Sequence, residues 1–420
     1  MKRLFILFIS VIMVQLSYGQ AFKVVGYLPD YEFSILNSIN YSKTTHVLAA
    51  FGNPDSSGVM SFSQNIDAFA TAVHNDGAKA MLSIAGGGDY SWGNSYHIYE
   101  YLFTDANRAI FIGKVMDYVR AHQLDGIDLD LEGYALELTN YNIFAQQLAD
   151  SLHALNLTIS GTYVSGSMAA YVSDATLQKL DFITAQSYGG IGSWNYNSPS
   201  DQAPYSLFKS DIDFWKSRGL TAAKVVGGLP FYVSQFPITE YPYSPPPDYN
   251  IYMPKLCSVY EDPQFIGQDP LKYDLVYTTD GDPVYLNSLP TFRKKINYAV
   301  ANAGGIMIWE LGGDCYDGTL NILDTLNTYI AAQITLSVEG KSPASSLKFY
   351  PNPANSFIKI DGQSQASMSY TISDVYGREI INSTLLDPLI DVSKIAPGMY
   401  LLNVMEEGVR HDPARLVIQR

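Results

Sequence analysis

The chain has 420 residues, 47% apolar and 16% charged, a globular composition and not that of a disordered chain. Lys and Arg number 26 against 41 Asp and Glu, for a formal net charge of −15. Such a chain lacks the basic footprint of a nucleic-acid binder and is a poor match for an anionic membrane surface. At roughly 100–200 residues per domain, the length predicts two or three domains.

The chain opens on the pattern of a secretory signal peptide, expected over residues 1–19. Lys2 and Arg3 precede an apolar run from Leu4 to Val14, and Ser17-Tyr18-Gly19 supplies small residues before Gln20. That run is too short to span a bilayer, and no later stretch reads as a transmembrane segment.

From Phe22 onward, strand-like and helix-like runs alternate. Val24–Tyr27, His46–Phe51 and Lys79–Ile84 read as the first three strands. A helical pattern over Asn107–His122 leads to a fourth strand, Leu124–Leu131. A helix over Tyr141–Leu155 leads to a fifth, Leu157–Tyr163. Phe182–Tyr188 is the sixth. A helix ending at Arg218 precedes the seventh, Lys224–Phe231. A helix over Thr291–Asn302 precedes the eighth, Gly305–Leu311. Eight strands separated by helices predict a parallel (β/α)8 barrel, a TIM barrel, over residues 20–337. Extra length after the seventh strand, about 233–287, carries Pro245-Pro246-Pro247 and the turn signal Asp280-Gly281, and reads as a loop or small β insertion over the barrel mouth. Residues 338–345 read as a Ser/Pro/Gly linker. Residues 346–420 then show short alternating segments such as Phe357–Ile360, predicting a small all-β sandwich.

The two cysteines, Cys257 and Cys315, are compatible with one exported disulfide or with two free thiols. Two Cys and six scattered His do not make a zinc site, and no metal is expected. Gly86-Gly87-Gly88 lacks the spacing of a dinucleotide loop, and no cofactor is expected.

The segment Asp125-Gly126-Ile127-Asp128-Leu129-Asp130-Leu131-Glu132 carries the most chemistry. On a strand, Asp128, Asp130 and Glu132 share one face and Ile127, Leu129 and Leu131 the other. In a barrel the aliphatics face the helices, so the acids face the interior, a costly structural choice. Stacked carboxylates resist ionising together, and a retained proton is what a general acid requires. Glu132 is last, at the strand's C-terminal end, where barrel active sites lie. Tyr188, Trp309 and Trp194 are placed to offer rings to a sugar, Trp194 from a polar loop.

These residues resemble the DGxDxDxE signature of glycoside hydrolase family 18, which includes chitinases, endo-β-N-acetylglucosaminidases and inactive chitinase-like lectins. Val25–Tyr27, Lys79–Gly86, Asp181–Tyr188, Gly192–Trp194, Ala203–Tyr205, Gly227–Tyr232 and Gly304–Asp314 resemble further segments of that family, in order. The resemblance implies a retaining mechanism in which the substrate's 2-acetamido group is the nucleophile. It implies Glu132 as general acid, Asp130 as the residue that orients the acetamide and shares a proton, and Asp128 beneath them. It further implies Tyr188 as donor to the acetamide carbonyl, Trp309 as floor of the reacting subsite, Trp194 as a leaving-group platform, Tyr27 near the base of the ladder, and Gln186 at the substrate. The chain departs from the family at Leu131, where many chitinases have Trp, at Ala85, the first glycine of the third-strand pattern, at Gln186, often Met, and at Gly189, often Asp or Asn.

Phe349–Ala354, Ile372–Arg378 and Ala396–Tyr400 resemble the motifs of a type IX secretion sorting domain, found in Bacteroidota. This implies the type IX machinery as partner and export through periplasm and outer membrane to the medium or cell surface. The expected activity is hydrolysis of β-1,4-linked N-acetylglucosamine in chitin or chitin oligosaccharides. The alternatives are an endo-β-N-acetylglucosaminidase acting on the chitobiose core of N-glycans, and a non-catalytic chitin-binding lectin. Lectin members usually lack the final Glu, which this chain keeps as Glu132.

Overall fold

The computed structural model describes residues 22–188, 201–236, 254–265, 268–316, 320–339, 349–360, 368–374, 379–385, 389–406, 409–410 and 414–419. The expected signal peptide, 1–19, lies outside them.

Eight parallel strands close on themselves: β1 (Lys23–Pro29), β2 (His46–Pro54), β3 (Lys79–Ala85), β4 (Gly126–Asp130), β5 (Thr158–Tyr163), β6 (Phe182–Ala185), β7 (Val225–Pro230) and β8 (Gly305–Trp309). Each pairs with its neighbour in sequence, and β1 pairs with both β2 and β8 to shut the barrel. The helical patterns fall where the spacing places them. Arg108–Ala121 buries Phe111, Ile112, Val115, Met116 and Val119. Tyr141–His153 buries Phe144, Ala145, Leu148, Ala149 and Leu152. In both, residues three and four apart share the buried stripe.

Several strands end earlier than their apolar runs suggest. The expected fourth strand, Leu124–Leu131, is paired only over Gly126–Asp130, and the sixth stops at Ala185 rather than Tyr188. At the sixth, the Gln186 N–H still donates to the Tyr163 carbonyl of β5, after which the Ser187 N–H turns back to the Ala185 carbonyl, so Tyr188 stands on a turn above the sheet.

The insertion after β7 contains a three-stranded antiparallel sheet of Ser234–Gln235, Leu275–Tyr277 and Pro283–Tyr285, plus a short helix, Leu256–Tyr260. Asp280-Gly281 does turn the hairpin, with Gly281 at φ +89°, a left-handed conformation that suits glycine. Pro245–Pro247 lie outside the described residues. Cys257 and Cys315 form a disulfide, with Cα atoms 5.1 Å apart.

The chain divides into two compact units, 1–331 and 332–420. A helix over Ile322–Glu339 runs into the first two positions of the expected linker, whose remaining residues are not described. In the C-terminal unit, a three-stranded and a five-stranded antiparallel sheet bury Ile358, Ile372, Ile390, Leu402 and Leu416 in one core. Phe357–Ile360 alternates exposed and buried, as its sequence requires.

Candidate active site

The site grows from one layer of the barrel. Register places Asp128 of β4 beside Ser83 of β3 and Ser160 of β5. Three hydroxyls therefore converge on a fully buried carboxylate: Ser160 donates to Oδ1 at 2.6 Å, Ser83 to Oδ2 at 2.7 Å, and Tyr27 to Oδ2 at 2.8 Å. Thr162 Oγ1 lies 3.2 Å from both oxygens and 2.5 Å from the Tyr27 hydroxyl. Burial pushes the Asp128 carboxyl above its ordinary range, and these donors pull against that.

One turn of the pleat higher sits Asp130, 3% exposed. Burial, then the charges of Glu132 and Asp128, raise its carboxyl well above the usual value, opposed by a hydrogen bond from Gln186. These causes favour the protonated form of Asp130.

Glu132 lies two residues beyond the last paired strand position, on the rim. Its backbone N–H donates to Ser91 Oγ at 3.0 Å. Its carboxylate accepts from Gln186 Nε2 at 2.8 Å on Oε1 and from Trp92 Nε1 at 3.1 Å on Oε2. The same Gln186 amide donates to Asp130 Oδ1 at 3.1 Å. Gln186, expected at the substrate, thus bridges the two upper acids. The outward residues Ile127, Leu129 and Leu131 are all fully buried.

Asp130, Glu132, Gln186, Tyr188 and Trp309 line one cleft of about 830 Å³. Tyr188 donates to Met307 Sδ at 3.6 Å, a weak acceptor. Trp309, the last residue of β8, stacks on Phe51 at 5.7 Å and meets the Tyr27 ring edge-on at 5.3 Å. Tyr27 and Asp128 lie beneath the cleft, at the base of the ladder. Trp194 and Gly189 fall outside the described residues.

The third-strand pattern proves to be a spacing device. Ala85 adopts φ +77° although it is not glycine, so it keeps the left-handed turn a glycine would take more easily. Gly86, at φ +75°, leaves room for Phe51: a Cβ there would sit 2.5 Å from the Phe51 ring.

Sequence reasoning missed Phe51 and Trp92. Phe51 is hidden in an apolar strand and carries no distinguishing signal. Trp92 carries the very signal that singled out Trp194, a tryptophan among polar and glycine residues in Gly88-Asp89-Tyr90-Ser91-Trp92-Gly93-Asn94.

Residues 348–419 match the secretion system C-terminal sorting domain. Among relatives, a chitinase-like effector of Moniliophthora perniciosa is 27% identical over 236 residues, covering 48% of this chain and 52% of that protein. The chain thus spans about half the length of this relative. Chitotriosidase-1 of Mus musculus is 22% identical over 417 residues, covering 84% of this chain and 86% of the other. Among solved structures, the GH18 chitinase ChiB from the chitin utilization locus of Flavobacterium johnsoniae superposes with a TM-score of 0.66 at 26% identity, over 75% of this chain and 95% of that one. A chitinase from Bacteroides thetaiotaomicron, at 21% identity and TM-score 0.60, over 74% of this chain and 96% of that one, shares the fold. Residues 23–314 match the family model for glycosyl hydrolases family 18, and with the buried acid ladder on the fourth strand of a closed barrel, the chain belongs to that family.

Proposed function

We propose that the chain is a glycosidase that cleaves β-1,4-linked N-acetylglucosamine, in chitin or its oligosaccharides, with retention and with help from the substrate's own acetamido group. One observation carries the reading: Asp130, the last residue of β4, is buried above Asp128 with its carboxyl pushed well up, below the rim carboxylate of Glu132 in an open cleft.

In this reading Trp309 packs against the apolar face of the reacting sugar. Tyr188 exchanges its weak thioether acceptor for the acetamide carbonyl, and Asp130 takes the acetamide N–H. Together they hold the carbonyl oxygen against C1, so that positioning lowers the barrier. Glu132 protonates the leaving oxygen, then accepts a proton from the incoming water. A second enzyme carboxylate at glycosidase spacing is not needed, because the nucleophile belongs to the substrate.

The test is mass spectrometry of N-acetylchitohexaose incubated with the full chain and with Glu132→Gln. Wild type should yield shorter oligosaccharides and the variant none. Cleavage by Glu132→Gln would sink the general-acid assignment. No cleavage by wild type would reject chitin-type hydrolysis and point to the N-glycan core. The sorting domain supports export through a Bacteroidota-type system, and we propose delivery of the barrel to the medium or cell surface.

A further inference from the structure

We propose that Trp92 is a positioning residue for Glu132, acting through its indole N–H rather than as a ring platform alone; this rests on the glycosidase reading above. The segment Ser91-Trp92 grips Glu132 twice: Ser91 Oγ accepts the Glu132 backbone N–H, and Trp92 Nε1 donates to Oε2. Gln186 holds the other oxygen from the opposite side. Both side-chain partners are donors, so the cradle matches a carboxylate, which only accepts.

That form arises during the reaction. Glu132 gives its proton to the glycosidic oxygen, which also takes the electron pair of the breaking C1–O bond, while the acetamido oxygen bonds to C1. The carboxylate left behind is the species both donors fit, and donors already aimed at a developing charge need no reorganisation. In the second step the same carboxylate takes a proton from the water that attacks C1, while the bond between C1 and the acetamido oxygen breaks and its electron pair returns to the acetamide.

The chain makes specific room for this arrangement. Gly133, next to the acid, has φ +44° and packs under the indole; a Cβ there would lie 2.5 Å from the Trp92 ring. Tyr134 meets the same ring edge-on at 6.1 Å. Trp92 is itself 50% exposed, so the fold does not need this ring for its core. Its orientation is instead set by Gly133, Tyr134 and Glu132.

Two measurements on the full chain decide the matter. The chain has four tryptophans, so 15N-tryptophan labelling gives four indole signals, and Trp92→Phe assigns that of Trp92. Glu132→Gln replaces one carboxyl oxygen by an amide nitrogen, which donates instead of accepting, and should move the Trp92 indole proton signal while leaving the other three in place. Gly133→Ala should move it too, by displacing the ring. In hydrolysis of N-acetylchitohexaose, Trp92→Phe keeps an aromatic ring but loses the N–H. It should lower kcat about five- to tenfold, with KM within about twofold. A wild-type kcat in Trp92→Phe, or an indole signal indifferent to Glu132→Gln, would overturn the proposal. If wild type leaves the hexaose uncut, the glycosidase reading fails on that substrate, and the indole signal still decides whether Trp92 holds the acid.

Discussion

Tyr27→Phe tests whether Asp128 is the charged foundation of the ladder. The substitution removes one hydroxyl and leaves the ring, so its contact with Trp309 is kept. Asp128 loses a 2.8 Å donor on Oδ2 and retains Ser83 and Ser160. A hydrogen bond to a buried charged group is worth about 1.5–3 kcal/mol. Thr162 is 3.2 Å from Oδ2 and, freed from Tyr27, can turn to replace part of the loss. The net cost at neutral pH is then about 1–2 kcal/mol, which lowers the barrel's thermal midpoint by about 2–4 °C. The pH dependence gives a second check. The Asp128 carboxyl is already raised in the folded state, and losing a donor raises it further. A raised carboxyl costs nothing below its unfolded value near 4 and weighs against folding as pH climbs through the folded value. The variant should therefore differ from wild type more at pH 7.5 than at pH 4, by differential scanning calorimetry. Equal losses at both values, or none, would refute the view that these hydroxyls support a carboxylate.

Gly86→Ala forces a Cβ to 2.5 Å from Phe51 in a left-handed backbone. Strain and overpacking together should cost about 2–4 kcal/mol. Pushing Phe51 off Trp309 should raise KM for N-acetylchitohexaose; an unchanged midpoint and KM would remove Phe51 as the support of that ring. Deleting residues 346–420 should leave hydrolysis within about twofold of the full chain, since at this boundary no residue of the cleft is removed. It should also abolish appearance of the protein outside the producing cells. A truncated chain that is insoluble or still exported would contradict the assigned boundary or the role of the tail.

The ladder was legible because a two-residue period is absolute on a strand: once β4 is placed, Asp128 and Asp130 cannot face any way but inward. The barrel followed from the alternation of runs for the same kind of reason. What the sequence hid was lateral. Ser83, Ser160 and Thr162 look like ordinary strand residues until register lays them beside Asp128. Strand ends were blurred because the run continues to Tyr188 although the backbone turns at Ser187. Gln186 is the next inward position after Phe182 and Thr184, but that its amide reaches two acids is a contact no local pattern announces. Trp92 could have been found by the criterion applied to Trp194, but its partner could not, since Glu132 is 40 residues away in sequence.

The Cys257–Cys315 bond gives the cleft wall a different kind of permanence. Between the two cysteines run the hairpin of the insertion, the helix Leu289–Asn302 and β8 with Trp309 at its end. The whole stretch is a covalent ring of 58 residues' separation. A protease that cuts one exposed bond inside it, for instance beside Tyr273 or Tyr277, opens the ring without releasing a piece. The fragments stay joined and run as one species until a reductant is added. A single nick near Trp309 is then an injury the fold can survive.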